Sequence, residues 1–256
     1  MKKRITVIIT SIIIGMSIGN GVNYNVAKAE TRNEYLNNLN KYERLCMDHL
    51  IIGDLWDIDD NTDIADKVSQ DSFDQTIDSY KGDGNCNAFR HSYWNALNYG
   101  SCGFQVATVV GNAHENIPSN SEVAYDNKHK LVTFSDEVIT FDSYEMAAHY
   151  MDAYNNKVGR QVGREAMDYL INEFNQDGTS QYIYKAKAKH SYPDLEKEGN
   201  IYEVYTDYKL TSSGRALYED TCSLTLRLYT RWGYLRRLRA VDGKWQVIPT
   251  DRSSLK

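Results

Sequence analysis

The spacing of apolar positions changes once along the chain, near residue 178. Before that point apolar side chains recur every three or four residues, which predicts α-helices. These helices are expected over 30–52, 62–80, 85–100, 103–115 and 142–175. After Asp177-Gly178 the period falls to two, which predicts short strands over 201–210, 217–218, 223–229, 234–239 and 244–248. The pattern therefore predicts the α+β class, with a mainly helical domain at 30–176 and a small antiparallel β domain at 179–256.

Between the first two predicted helices lies an acidic run, 53–63, that resembles a calcium-binding loop. Asp57, Asp59, Asn61 and Asp63 alternate as calcium ligands do. The comparison fails at the sixth position, which is threonine instead of glycine, and at the twelfth, which is valine instead of glutamate. We therefore interpret the run as a solvated turn or a helix cap.

The predicted helix at 85–100 carries a polar row. At about 3.6 residues per turn, Asn87, His91 and Asn95 lie above one another. Bulky apolar residues flank that row on both sides, so it is expected to face the protein interior. Asn85 or Asn87 is expected to cap the helix, and Gly100 to end it.

Two later segments can supply partners for this row. His114 and Glu115 end the apolar stripe of the next helix. The 142–175 helix carries a second polar stripe, formed by Glu145, His149, Asp152 and Asn156. Further along the same face come Gly159 and Gly163, each of which costs a helix about 1 kcal/mol relative to alanine. Their presence predicts that another helix approaches closely there.

Side chains of this kind converging from three helices support two chemistries. His91, His114, Glu115 and Asp152 can bind a divalent metal such as zinc or manganese and activate water. Alternatively, His114 or Glu115 acts as a general base without metal, while an arginine stabilises a developing anion. The remaining candidates orient these groups or hold an anionic substrate: Asn87, Arg90, Asn95, Asn155, Asn156 and Arg160. The sequence contains no HExxH motif and no Gly-x-Ser-x-Gly elbow.

Three motifs in order carry a resemblance to a known family. They are Asn87-Ala88-Phe89-Arg90-His91-x-x-Trp94-Asn95, then His114-Glu115, then Asp152-x-x-Asn155-Asn156-x-x-Gly159-Arg160. The chain resembles, over about 83–175, an uncharacterised bacterial domain family of unknown function that occurs in secreted and toxin-like proteins. The resemblance implies a helical domain with these residues as its signature, and it brings no established activity.

The first residues predict export. A basic start at 2–4, an apolar run at 5–18 and Ala27-Lys28-Ala29 together predict a secretory signal peptide over 1–29, and hence an extracellular protein. Residues 30–175 carry 25 acidic and 11 basic side chains, and residues 176–256 carry 10 and 14. The acidic body argues against nucleic acid as a partner, and the basic segment suits an anionic cell-wall or membrane surface.

Three functions follow from these observations. The first is an extracellular hydrolase acting on a phosphoester, lipid or glycan. The second is a non-enzymatic module that binds the cell envelope, in which the buried polar residues form a structural hydrogen-bond network. The third is a toxin effector domain.

His190, in polar surroundings, is expected to be solvated.

The four cysteines leave the disulfide pattern open. Cys46, Cys86, Cys102 and Cys222 allow three pairings. A bridge requires Cα atoms within about 7 Å, and a helix between Cys86 and Asn98 rises about 18 Å. The spacing therefore disfavours a bridge between Cys86 and Cys102.

Overall fold

The structure, a computed structural model, describes residues 39–79, 82–120, 123, 132–174 and 180–256. The predicted signal peptide at 1–29 lies outside the described residues, as does most of the segment at 121–131. Helices dominate the N-terminal part and small antiparallel sheets follow, which confirms the α+β class. Among the described helices, none combines the length and the apolarity needed to cross a membrane.

The described residues form the following elements. The helices are α1 Lys41–His49, α2 Ile52–Ser72, α3 Asn85–His114, α4 Tyr144–Phe174 and α5 Ser212–Arg231. The strands are β1 Ile139–Phe141, β2 Ile183–Pro193, β3 Ile201–Leu210, β4 Arg236–Val241 and β5 Lys244–Pro249. One sheet has the order β1-β5-β4, and β2 pairs with β3 in a second, both antiparallel.

The acidic run lies inside α2, so the expectation of a turn or cap over 53–63 is wrong. The buried face of α2 is largely polar and includes Asp54, Asn61 and Asp66. Hydrophobic spacing is therefore a weak signal in this segment. Along a helix, residues two positions apart point to different sides. The alternating carboxylates accordingly cannot surround one calcium ion.

The start and the break of α3 differ from the prediction. Neither Asn85 nor Asn87 caps the helix; Gly84 occupies the N-cap, and Asp78 Oδ2 accepts a hydrogen bond from the backbone N–H of Cys86 at 3.0 Å. The helix also continues beyond Gly100. Its break falls at Gly103, whose φ of 80° and ψ of 175° interrupt the helical backbone and redirect the second half.

Helices α3 and α4 approach each other closely, as the two glycines predicted. A Cβ atom added at Gly159 would lie only 2.0 Å from the backbone oxygen of Ser92 on α3. One added at Gly163 would lie 2.9 Å from the backbone oxygen of Ala96. This contact brings the polar row of α3 against the side chains of α4.

The C-terminal segment contains a long helix where two strands were expected. Residues 217–218 and 223–229 lie in α5, which Thr211 caps by accepting a hydrogen bond from the N–H of Gly214. Its buried face follows a four-residue spacing through Gly214, Tyr218, Cys222, Leu226 and Thr230. The alternation of polar residues with leucine over 223–228 produced the incorrect strand prediction.

One hydrophobic cluster joins the two predicted domains. Leu97 and Val106 of α3 share it with Val162 of α4, Tyr218 of α5 and Leu235 just before β4. Strand β1, from the helical part, also pairs with β5 near the C-terminus. The division into two domains between 176 and 179 therefore stays a prediction, which truncation of the chain would test.

All four cysteines are free and buried. Cys86 and Cys102 lie at opposite ends of the first half of α3, so they are about 24 Å apart along the helix axis. Burial raises the pKa of the Cys46, Cys102 and Cys222 thiols above the ordinary value. These thiols therefore stay protonated and pack as small apolar groups.

Candidate functional site

His91 lies between two carboxylates, as the sequence predicted. Its Nδ1 is 3.3 Å from Glu115 Oε1, and its Nε2 is 3.5 Å from Asp152 Oδ1. Glu115 follows the C-terminus of α3, while Asp152 comes from α4, so the three residues meet where the two helices cross. Nδ1 of His91 is buried and makes no hydrogen bond of normal geometry with the described residues.

His114 completes the group, and Glu43, which the sequence analysis missed, orients it. Nδ1 of His114 lies 3.0 Å from Glu43 Oε1 on α1. The imidazole centroids of His91 and His114 are 5.9 Å apart, and the Trp94 ring meets His114 edge-on at 5.3 Å. Because Nδ1 of His114 is engaged by Glu43, Nε2 is the nitrogen that can act as a ligand.

A capping box holds Glu43 in place. Asn40 Oδ1 accepts a hydrogen bond from the N–H of Glu43, and Glu43 Oε2 accepts one from the N–H of Asn40 at 3.0 Å. The spacing Asn40-x-x-Glu43 is the sequence signature of such a box. That signature locates Glu43 at a helix start but does not indicate that its second oxygen contacts His114.

A chain of side-chain amides fixes Glu115. Asn156 Nδ2 donates to Glu115 Oε1 at 3.0 Å, and Asn95 Nδ2 donates to Asn156 Oδ1 at 2.7 Å. Arg160 Nη1 donates to Asn95 Oδ1 at 3.1 Å. Asn95, Asn156 and Arg160 are almost fully buried. The chain therefore determines where the carboxylate of Glu115 points.

A second set of contacts links the site to α2. Asn87 Nδ2 donates to Asp152 Oδ1 at 3.4 Å, and Arg90 Nη2 donates to Asn87 Oδ1. Arg90 Nη1 lies 3.8 Å from Asp66 Oδ1 on α2. Asp66 lies in the helix predicted over 62–80 but was not predicted as a site residue, because no local pattern indicates that this helix packs beside Arg90. Contacts from α2 and α3 thus hold Arg90 beside His91.

Asn155 does not contribute to the site, contrary to the prediction. Its Nδ2 donates to the backbone oxygen of Arg236, and its Oδ1 accepts from the N–H of Arg236, both at 2.9 Å. It therefore anchors β4 to α4. The start of the predicted α4 stripe is also outside the site, since Glu145 and His149 are exposed.

The charges of the site are unbalanced. Around His91 the described residues include four carboxylates, those of Glu43, Asp66, Glu115 and Asp152, and two guanidinium groups, those of Arg90 and Arg160. Among the described residues, the group carries two excess negative charges when His91 and His114 are neutral, which is the state in which imidazoles bind a metal. A partly buried excess of this kind favours a cation.

The pKa values reflect this environment. Burial raises the pKa of Asp152 to about 6, against the attraction of His91. Burial also acts to raise the pKa of Glu115, but the hydrogen bond and charge of His91, together with His114 and Asn156, hold it at about 2. Burial acts to lower the pKa of His114, and Glu43 and Glu115 outweigh it, so that the pKa is raised.

Three of these residues can act together as metal ligands. One ligand atom each from His91, His114 and Glu115 lies within 4.8 Å of the others. A zinc ion with bonds of about 2.1 Å separates its ligand atoms by roughly 3.5 Å. Small side-chain rotations would therefore bring the three onto one ion. The pairing of His114 with Glu43 is the carboxylate–histidine arrangement common around bound metals.

His190 is not solvated, contrary to the expectation from its sequence context. It lies on β2 with 4% of its surface exposed. Its Nδ1 is 2.8 Å from Asp54 Oδ1, and its Nε2 is 3.0 Å from Thr206 Oγ1. The partners come from α2 and β3, which no local pattern around residue 190 could indicate.

Comparison with known proteins identifies a family. A family model described as a domain of unknown function, DUF6973, matches residues 45–190. This range includes His91, His114, Glu115 and Asp152, and it is wider than the segment that carried the resemblance. No curated protein and no solved structure matches the chain significantly.

Proposed function

The chain belongs to the DUF6973 family, a domain of unknown function, and from its site we propose that it is a metal-assisted hydrolase. His91, His114 and Glu115 hold a divalent ion such as zinc or manganese. The observation that carries this proposal is the convergence of their three ligand atoms within 4.8 Å. Three protein ligands and an open position for water are typical of catalytic zinc sites.

The surroundings of the three residues support this assignment. A second residue orients two of the ligands: Glu43 orients His114, and Asn156 orients Glu115. Nδ1 of His91 is buried 3.3 Å from Glu115 Oε1 and has no hydrogen-bond partner of strict geometry among the described residues. In the tautomer with the proton on Nε2, the Nδ1 lone pair can therefore bind a metal that Glu115 also contacts. The two excess negative charges of the site would be neutralised by a divalent ion.

The other polar residues have roles around the ion. A bound metal would supply a more acidic water. Asp152 lies 3.5 Å from Nε2 of His91, where it favours a proton on Nε2 and so leaves Nδ1 for the ion. Arg90 lies within hydrogen-bond distance of His91 Nε2, at 3.3 Å, and its positive charge can attract an anionic substrate toward the site. We expect a phosphoester, lipid or glycan bond as the target, and a panel of model substrates distinguishes these.

Metal analysis of the purified protein tests the proposal. We expect about one zinc or manganese ion per chain in the wild type and a loss in His114→Ala. His149→Ala is the matched control, because His149 is exposed on α4 away from the site. Hydrolysis of p-nitrophenyl phosphate and glycoside substrates should follow metal content. Folded wild-type protein that binds neither ion at micromolar concentration would overturn the proposal.

We also propose that this hydrolase acts outside the cell, at the envelope. The support is the predicted leader at 1–29, and the four free cysteines are compatible with it, since the fold does not depend on disulfides. Fractionation of cells that produce the full chain, with immunodetection in medium, envelope and cytosol, tests the location. Retention of the uncleaved chain in the cytosol would contradict it. The same chemistry would also serve a toxin effector, for which the substrate panel would include components of a target cell.

A second candidate function rests on the β2–β3 hairpin. Tyr184, Tyr202 and Tyr205 are 40 to 50% exposed there, and Lys187 lies over the Tyr205 ring at 4.4 Å. Exposed aromatic rings beside lysines suit an anionic envelope polymer or membrane surface. Cosedimentation with cell walls tests this function. Binding that survives in His114→Ala but falls in a Tyr202→Ser, Tyr205→Ser double variant would assign it to the hairpin.

A further inference from the structure

A second cavity lies beside the N-terminal half of α2, and its lining shares no residue with the proposed metal site. Its volume is about 310 Å³, and its lining includes Asp54, Asn61, Ser101, His190, Thr206 and Arg215. Binding sites for small molecules begin at about this size. The cavity therefore has room for a small molecule or for one unit of a larger one.

One wall of the cavity carries a hydrogen-bonded chain of three side chains. Thr206 Oγ1 is 3.0 Å from His190 Nε2, and His190 Nδ1 is 2.8 Å from Asp54 Oδ1. Asp54 and His190 are 2% and 4% exposed, whereas Thr206 is only partly buried. A carboxylate at Nδ1 selects the tautomer in which Nε2 accepts the hydroxyl proton. This is the order of contacts found in hydroxyl-nucleophile triads.

The β2–β3 hairpin fixes the relative positions of Thr206 and His190, the first two side chains of this hydrogen-bonded series. Ala188 is opposite Thr206, and His190 is opposite Val204, so the histidine and the threonine are diagonal neighbours on one face of the sheet. Asp54 reaches them from the first turn of α2. The hairpin and α2 thus hold all three side chains, so their geometry does not depend on a loop.

We propose that Thr206 is a nucleophile activated by His190, that Asp54 positions the imidazole, and that the cavity takes a small carboxylic ester. This site is independent of the proposed metal site and of the hydrolase activity assigned to it. The guanidinium of Arg215 lines the same cavity, where it donates to Glu219 at 2.8 Å and to Asn61 at 2.9 Å and so forms part of the polar wall.

The proposed reaction has two steps, acylation of Thr206 and hydrolysis of the acyl-threonine. Thr206 Oγ1 forms a bond to the ester carbonyl carbon, and His190 Nε2 takes the hydroxyl proton. The bond from that carbon to the alcohol oxygen then breaks, and the alcohol leaves with the proton from His190. Water attacks the acyl-threonine in the same manner, releasing the carboxylic acid and restoring the hydroxyl.

Acetylation by p-nitrophenyl acetate tests the site on the full-length protein. The readouts are release of nitrophenolate and peptide mass spectrometry of Thr206. We expect an acetyl group on Thr206 in the wild type and on the new hydroxyl in Thr206→Ser, and none in Thr206→Val, which preserves the shape. His190→Gln and Asp54→Asn should slow acetylation by about 100-fold, the usual contribution of a general base. Melting temperatures identify any variant that fails to fold.

Two control variants distinguish acetylation in this cavity from acetylation of exposed hydroxyls and from metal-dependent hydrolysis. Thr140→Val removes an exposed strand threonine and should leave acetylation of Thr206 unchanged. His114→Ala should lose metal but keep the acetylation, so the two sites succeed or fail separately. A folded wild type in which Thr206 is acetylated no faster than Thr140 would overturn the proposal. So would a folded Asp54→Asn variant with an unchanged acetylation rate.

Discussion

The two histidine clusters of this protein both place an imidazole against a buried carboxylate, yet they leave different atoms available. Around His91, carboxylates outnumber the cations, and Nδ1 makes no hydrogen bond of normal geometry within the described part of the chain. At His190, by contrast, one nitrogen meets Asp54 and the other meets Thr206. The first arrangement suits an added cation, and the second suits transfer of a proton along an existing chain.

The difference shows that the partners of a histidine are more informative than its burial. His91 and His190 are 6% and 4% exposed, so burial does not distinguish them. What differs is the number of acceptors around each ring and whether a hydroxyl occupies Nε2. Variants that remove one histidine cluster, or alter one partner of a histidine, therefore test the comparison directly.

Truncation after Gly178 should have the largest effect, because it removes the buried core residues Tyr218, Leu226 and Leu235, which are at most 1% exposed. It also removes His190 and Thr206 and keeps every proposed metal ligand. Each such side chain contributes about 1.5–3 kcal/mol, and a domain has only about 5–15 kcal/mol of stability. We expect no cooperative thermal transition by circular dichroism. A sharp transition with retained metal would instead support the predicted division into two domains.

The sequence predicted α4, the first half of α3 and the close contact between them because the signal is local. His91 and its row repeat with the helical period, and Gly159 marks the close contact. Helix α2 was not predicted as one element, because its buried face is polar and hydrophobic spacing could not reveal it. In α5 the short-range alternation of polar residues with leucine over 223–228 outweighed the four-residue spacing of the residues that the structure buries.

The partners of the two clusters were harder to predict than the elements. Glu43 contacts His114 across 71 positions of sequence, and Asp54 contacts His190 across 136. Such pairs depend on how the helices and the hairpin pack, and no local pattern records that packing. Asn155 and Asn156 show the converse case. They are adjacent in the predicted motif, but only Asn156 faces Glu115, because neighbouring helical positions point in different directions.

Gly159→Ala should have the next largest effect and should act mainly on the His91 cluster. The added Cβ would lie 2.0 Å from the backbone oxygen of Ser92, so α4 must move away from α3. Overpacking of this kind costs about 1–3 kcal/mol or more. Asp152 and Asn156 would move with α4. We therefore expect a lower melting temperature and weaker metal binding, measured by thermal denaturation and calorimetric titration.

Gly53→Ala is the matched control for that substitution. Gly53 is also helical, but a Cβ there would have no atom of the described residues within 4 Å. Alanine should leave stability unchanged or raise it by up to about 1 kcal/mol. Acetylation of Thr206 should persist in Gly159→Ala, because β2 and β3 do not depend on that contact. Equal melting temperatures for the two alanine variants would contradict the close packing of α3 and α4.

Glu43→Gln should have the smallest effect and gives the finest test of how His114 is oriented. Glutamine can keep the capping box with Asn40, so the fold should be retained. The neutral amide is a weaker acceptor for Nδ1 of His114, which makes Nε2 a poorer ligand. Loss of such a partner lowers metal affinity by about 10–100-fold, equivalent to about 1.4–2.7 kcal/mol. Competition titration with a chelator of known affinity measures the change.

Glu145→Gln is the matched control for the charge that Glu43→Gln removes. Glu145 is exposed on the first turn of α4, so its loss changes net charge equally without touching His114. If both variants bind metal as tightly as the wild type, Glu43 does not orient a ligand, and its contact with His114 serves packing alone. If only Glu43→Gln weakens binding while Thr206 is acetylated at the wild-type rate, the two histidines work by the different chemistries that their partners indicate.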